Sequence, residues 1–163
     1  MTKENEKFKR NVGDILRRGI DVETELEFFI SNYFIKPQNA KTFFFGDVIV
    51  SELNFERKKH IFRKICEREK FDEKEIRKII KSIEFVQTTR NKIAHWEGET
   101  RSDNTIQLRK RTSYTTVKDI LKIDEDLVKK VNEERKNAIE GIRKFYLKYR
   151  REGTIGERRK IDR

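Results

Sequence analysis

Only one proline, Pro37, and seven glycines interrupt a chain of 163 residues. Proline and glycine are the residues that most oppose a helix interior, by roughly 3 and 1 kcal/mol relative to alanine. Their scarcity therefore favours long helices over a strand-and-turn architecture. The apolar residues agree with this, because they recur at helical spacing. Val22, Leu26, Phe29, Ile30 and Tyr33 make one stripe, and Ile76, Ile79, Ile80 and Ile83 make another. Charged residues make up 42 % of the chain, against roughly 25 % in an average globular protein. The core must then come from narrow stripes on amphipathic helices, and the 12 phenylalanines supply much of its volume.

Along the chain, residues 1 to 13 are polar and expected to be mobile. A helical pattern covers Asp14 to Ile35, with a break expected near Gly19-Ile20-Asp21, where Asp21 can cap a second segment. Pro37 ends it. From Phe43 to Leu53 the chain is almost continuously apolar, and periodicity alone does not separate a buried strand from a short buried helix. Phe55 to Glu69 is amphipathic, with His60 on its outer side. Asp72 caps the next helix, with Glu75 three positions on in capping-box register. After it, Thr105 to Arg109 alternates like a short strand that Tyr114 to Val117 could pair with, a small hairpin before the last helix. That last helix spans Asp124 to Arg150, with Leu127, Val128, Val131, Ala138, Ile142, Phe145 and Tyr149 inward. One domain over residues 1–150 and a disordered basic tail over 151–163 are expected.

The composition narrows the function classes. Cys66 is the only cysteine, so no internal disulfide can form, and a reducing cytoplasm is expected. No apolar run reaches the roughly 20 residues needed to span a bilayer, and the first residues lack the apolar core of a signal peptide. Two histidines and one cysteine without clustered spacing give no zinc site, and no phosphate-binding glycine loop or nucleophile elbow is present. Neither a metal nor an organic cofactor is expected. The formal net charge is +11, and from Arg143 to Arg163 nine Lys or Arg stand against three acids. Such an excess favours a polyanionic partner.

Chemistry concentrates in Thr89-Arg90-Asn91-Lys92-Ile93-Ala94-His95-Trp96. Histidine is the side chain best suited to proton transfer near neutral pH. Arginine holds a phosphate or offsets charge that develops in a reaction. The stripe through Ile76, Ile79, Ile80 and Ile83 continues through Gln87, Arg90 and Ala94, which sets a guanidinium on a buried register where it needs a partner or a wet cavity. Glu25 is a candidate partner for it. Five helical steps separate Arg90 from His95 by about 140° and ~7.5 Å, so the two do not meet side by side on one straight helix. Either the chain turns near His95, or a second copy completes the site. Trp96 reads as a core residue.

The string Arg90-Asn91-Lys92-Ile93-Ala94-His95, an arginine and a histidine five positions apart with asparagine after the arginine, resembles the signature of the HEPN superfamily. These are small all-helical domains, many of them ribonucleases. The likeness is sharpest over Arg90–His95 and extends loosely from Asp14 to Arg150. It implies an all-α bundle of four to five helices with a hairpin or loop insertion before the last, and it favours a helix over Phe43–Leu53. It also implies metal-free cleavage of RNA through the ribose 2′-hydroxyl by a homodimer whose motifs face each other. In that picture His95 transfers protons, Arg90 stabilises the phosphorane, Asn91 orients His95 or the phosphate, and Lys92 adds positive potential. Toxins and anti-phage effectors of this kind have a regulatory or antitoxin protein as partner. A catalytically silent domain that binds RNA or protein is the alternative. One departure stands out: where toxins paired with a nucleotidyltransferase antitoxin carry a modified tyrosine two residues after the histidine, this chain has Glu97.

Overall fold

The computed structural model describes residues 3–35, 40–95, 97–100, 106–109 and 120–156. Over them the chain is mostly helical. Its elements are α1 (Lys3–Phe34), α2 (Ala40–Phe45), a π-helical segment (Gly46–Val50), α3 (Phe55–Arg68), α4 (Glu73–His95), β1 (Glu97–Thr100), β2 (Ile106–Arg109), β3 (Ile120–Lys122) and α5 (Glu125–Gly156). Two compact units emerge. One comprises residues 1–22 and 82–136, the other residues 23–81 and 137–163.

In the first unit, Ile15, Ile93, Leu108, Ile123 and Val131 form the buried core, flanked by Phe8, Val12, Leu16 and Phe85. The strands make an antiparallel sheet in the order β1-β2-β3, with Leu108 opposite both Gly98 and Leu121. Leu108 of β2 enters this core, and the partly buried Leu121 of β3 packs against it. The expected strand around Thr105–Arg109 is present as β2, but its partners are β1 and β3. The expected partner, Tyr114–Val117, lies outside the described residues, as does Trp96. Neither β1, the Glu-Gly-Glu-Thr run, nor the three-residue β3 carries an apolar alternation long enough to announce a strand.

The second unit has an aromatic centre. Phe29 meets Phe62 edge-on at 5.0 Å, and Phe145 lies against Phe62 and Phe71 at 6.2 and 4.5 Å. Such ring pairs add to area burial about 0.5–1.5 kcal/mol each. Asn54 caps α3 through its Oδ1, which accepts from the Arg57 N–H. At the other end Lys70 takes φ 55°, and the Phe71 N–H reaches back to the Cys66 carbonyl, closing the helix where glycine is more usual. Asp72 caps α4 as expected, accepting from the Glu75 N–H at 2.9 Å. The Glu75 carboxylate instead takes a hydrogen bond from Lys144 on α5. Asp124 caps α5, and its carboxyl lies below the usual carboxylate range because the Leu127 N–H and Lys122 favour its charged form.

Several expectations are corrected. The helical pattern starts at Lys3, so the polar residues after it are ordered in α1 and are not a mobile lead. There is no break at Gly19-Ile20-Asp21. Gly19 stays within α1, and the Asp21 carboxylate accepts from Arg135 Nε at 2.6 Å instead of capping a helix. α5 continues past Arg150 to Gly156, so the expected tail begins helical, and residues 157–163 lie outside the described chain. The Phe43–Leu53 run is helical, in α2 and the π-helical segment.

Among the described residues, one charged group is fully inside. Lys58 is 2 % exposed, and its ammonium donates to Glu23 at 2.8 Å and Glu27 at 2.5 Å on α1. Burial alone would depress this ammonium, but its two carboxylates outweigh that and raise its pKa above the usual value. Replacing Lys58 by Met removes the cation and leaves two carboxylates facing each other beside a buried site. Denaturant unfolding of Lys58→Met should show a loss of about 3 kcal/mol or more, and an unchanged midpoint would refute the role given to this ion triad.

Tyr33 gives a second check. Burial, together with its 2.6 Å hydrogen bond to Glu69, pushes its phenol up from 10.0 to about 12. Groups whose folded pKa is raised contribute stability that is complete below the unfolded value and lost as pH rises through the folded one. Lys58 has the same sign. Urea midpoints should therefore hold up to about pH 10 and fall between pH 10 and 12, and Tyr33→Phe should flatten part of that fall. An identical slope in Tyr33→Phe would contradict it.

Candidate active site

The site is built on the last two turns of α4 and the turn of α1 around Gly19. α4 buries Ile76, Ile79, Ile80, Ile83 and Gln87 as the stripe requires. The stripe then shifts. Ser82, Val86, Thr89 and Ile93 are buried instead, about a quarter-turn round the helix, and Ala94 is exposed. The expectation that the buried register runs on to Ala94 therefore fails, because the first unit's core takes Ile93 from the neighbouring face. Two polar side chains on this new face have hydrogen-bond partners, one within the helix and one on α5. Thr89 donates to the Phe85 carbonyl at 2.8 Å, and Ser82 donates to Glu134 at 2.6 Å.

Arg90 stands at the margin between the two faces and is half-buried. Its aliphatic stem lies on Gly19: a Cβ added there would come within 2.8 Å of Arg90 Cγ. The glycine is thus a seat for the arginine, where the sequence alone suggested a helix break. A glycine at a buried register of an otherwise unbroken helical pattern is the signal that identifies such a close approach. The guanidinium donates through Nη1 to Asn91 Oδ1 at 3.1 Å, so Asn91 takes one of its five N–H donors. Asn91 and Lys92 are half-buried, and His95 is exposed on the last residue of α4.

Helix α4 is continuous through His95, so Arg90 and His95 keep their separation of about 140° around the axis. The chain does not turn before the histidine to bring them together. Glu25 has a different partner from the one expected: its two oxygens accept from Arg143 Nε and Nη2 at 3.0 and 2.9 Å, a bidentate fork on α5. Near the Gly19 seat, Arg18 and Arg135 share the single carboxylate of Asp21, at 3.9 and 2.6 Å, and Arg18 Nε is buried without a hydrogen-bond partner. This turn of α1 therefore adds positive potential to the unit that holds Arg90. Among the described residues, no three His, Cys, Asp or Glu are grouped as a metal site. Cys66 is buried, and burial pushes its thiol far above the usual range, which makes it a poor nucleophile. Also among the described residues, no helix is long and apolar enough to cross a membrane.

No family model matches the chain, and neither a curated protein nor a solved structure is found to be similar to it.

The seating of Arg90 generates a paired test. Gly19→Ala forces the arginine stem aside, whereas a Cβ at Gly13, in the same helix, meets nothing within 4 Å. Gly13→Ala should stabilise the protein by about 0.5–1 kcal/mol, while Gly19→Ala should destabilise it by about 1 kcal/mol or more. Equal effects of the two on the thermal midpoint would refute the seat.

Proposed function

We propose that this chain is a metal-independent endoribonuclease of the HEPN type, acting as a homodimer, as a toxin or an anti-phage effector. The single observation that supports it most is the built position of Arg90: a half-buried arginine whose stem lies on a glycine seat and whose guanidinium is oriented by Asn91, five residues before an exposed histidine. A surface arginine serving only solubility needs neither the seat nor the orienting amide.

The chemistry follows from the substrate. RNA carries its own nucleophile, so the protein has to move protons and stabilise charge. In this reading His95 of one copy takes the proton of the ribose 2′-hydroxyl as its oxygen bonds to phosphorus. Arg90 faces the negatively charged phosphorane. The bond from phosphorus to the 5′-oxygen then breaks, and that oxygen takes a proton from His95 of the second copy. The products are a 2′,3′-cyclic phosphate and a 5′-hydroxyl. Positioned acid–base catalysis contributes about 10²–10⁴-fold and a fixed charge donor about 10²–10³-fold. The separation of Arg90 and His95 around one helix is what makes a second copy necessary, since two copies can present an arginine from one helix and a histidine from the other to one phosphate. Lys92, Arg18 and Arg135 supply attraction for the RNA backbone, a salt-dependent term. Regulation by nucleotide transfer to a tyrosine after the histidine is not part of the reading, because Glu97 stands there.

Purified protein incubated with RNA in excess EDTA should cut it and leave 2′,3′-cyclic phosphate ends. Arg90→Ala and His95→Ala should each lower the rate by at least about 100-fold with an unchanged oligomeric state. Full activity in either variant would remove that residue from the site. RNA that is bound by wild type and variants alike but never cut would favour the silent RNA-binding domain.

A further inference from the structure

A glycine inside the apolar run 43–53 makes room in the second unit. Gly46 begins the π-helical segment, and a Cβ added there would come within 3.2 Å of Ser31 Oγ on α1. That is tighter than ordinary contact, so the glycine keeps the space over this hydroxyl clear. Ser31 is 5 % exposed, and its Oγ is buried without a hydrogen-bond partner. Buried hydroxyls are nearly always paired, because leaving the bond unmade destabilises the fold. Ser31 and Gly46 line a cavity of about 730 Å³ whose walls include Phe28, Phe43 and Tyr146. Phe28 and Tyr146 stand edge-on, with centroids 5.3 Å apart and planes at 65°. An aromatic lining with a polar group at its floor marks a small-molecule site, for which about 300–1,000 Å³ is usual.

We propose that this cavity binds an uncharged planar aromatic molecule of one or two rings, whose in-plane hydroxyl, carbonyl or N–H pairs with Ser31 Oγ. Ring geometry selects a planar molecule over an aliphatic chain. Two rings set at 65° form a corner in which a third ring can stack on one and meet the other edge to face. Those are the two arrangements that aromatic quadrupoles prefer. Charge selects a neutral molecule. The described lining holds the carboxylates of Glu27 and Asp47 and the guanidinium of Arg150. Glu27 is matched by the Lys58 ammonium at 2.5 Å, and Arg150 lies over the Tyr146 ring at 5.8 Å. The charges at the wall therefore balance, and a phosphate entering the cavity would leave water without a cation of its own. This argues against a nucleotide or an RNA segment as the occupant. The lining residues belong to the second unit, whereas Arg90 and His95 belong to the first. The inference thus rests on none of the ribonuclease chemistry.

Isothermal titration calorimetry of the full chain at neutral pH tests it, with 2-naphthol as the probe and 2-naphthoate and 1-octanol as comparators. 2-Naphthol should bind one site with a dissociation constant of about 1 mM or lower, as a ligand of its size allows. Ser31→Ala should weaken that binding about 10-fold through loss of one hydrogen bond. Phe28→Ala should weaken it by about 10-fold or more through loss of a ring wall. Phe28 is 49 % exposed, so its truncation should keep the wild-type far-UV circular dichroism. If that signal is lost, Ser31→Ala carries the test alone. His95→Ala should bind 2-naphthol as wild type does. No saturable binding of 2-naphthol by the folded wild type overturns the proposal, as does equal or tighter binding of 2-naphthoate or 1-octanol. Binding indifferent to the folded variants at Ser31 and Phe28 overturns it too. Each of these outcomes leaves the ribonuclease reading standing. A protein that binds 2-naphthol in this cavity yet cuts no RNA supports the site and fails only that reading.

Discussion

The shift of the buried face of α4 is the constraint on which the candidate site depends. Ile76, Ile80 and Ile83 are buried on one side, and Val86, Thr89 and Ile93 are buried a quarter-turn away. A chain with so few apolar residues buries one face of α4 along its first turns and another along its last, and the margin between the two faces of the helix cannot be wholly apolar or wholly solvated. Arg90 occupies that margin. Its stem can be covered and its head remain polar, which a long amphipathic side chain allows. Gly19 makes the covering close, and Asn91 fixes the head. A mobile arginine would spend part of any electrostatic gain on ordering itself, whereas one held before the reaction does not.

The same economy recurs elsewhere in ion pairs between helices. Lys58 is buried between Glu23 and Glu27, Arg143 forks onto Glu25, and Arg135 meets Asp21. Surface pairs of this kind add little singly. The Lys58 triad differs, because its ammonium is buried and removing it leaves two half-buried carboxylates without their shared cation. A highly charged helical chain therefore gains definition from where its charges are matched as much as from apolar area.

Much of the architecture was legible in the sequence. The isoleucine stripe of α4, the Asp72 and Asp124 caps, and the inward face of α5 through Val131, Ala138, Ile142 and Phe145 all follow from local rules of spacing and capping. The failures have a common cause. Gly19 looks like a break when only its neighbours in sequence are considered, and it becomes a seat when Arg90 arrives from 71 positions away. Glu25 looked available to Arg90 because its fork to Arg143 is equally remote in sequence. β1 and β3 are held by backbone pairing to β2, which leaves almost no side-chain pattern to find. At the candidate site, residue types and spacing were readable, and their support was not.

The central claim is that the RNA's own 2′-hydroxyl is the nucleophile in a reaction run by Arg90 and His95. The most direct test maps the cut positions in a cleaved RNA, then replaces the 2′-hydroxyl on the 5′ side of one cut by hydrogen, in excess EDTA. Loss of cleavage at that bond alone, with neighbouring cuts retained, is the predicted result. Continued cleavage at the deoxy position would mean that water or a protein group attacks the phosphorus, and the mechanism given to Arg90 and His95 would be wrong.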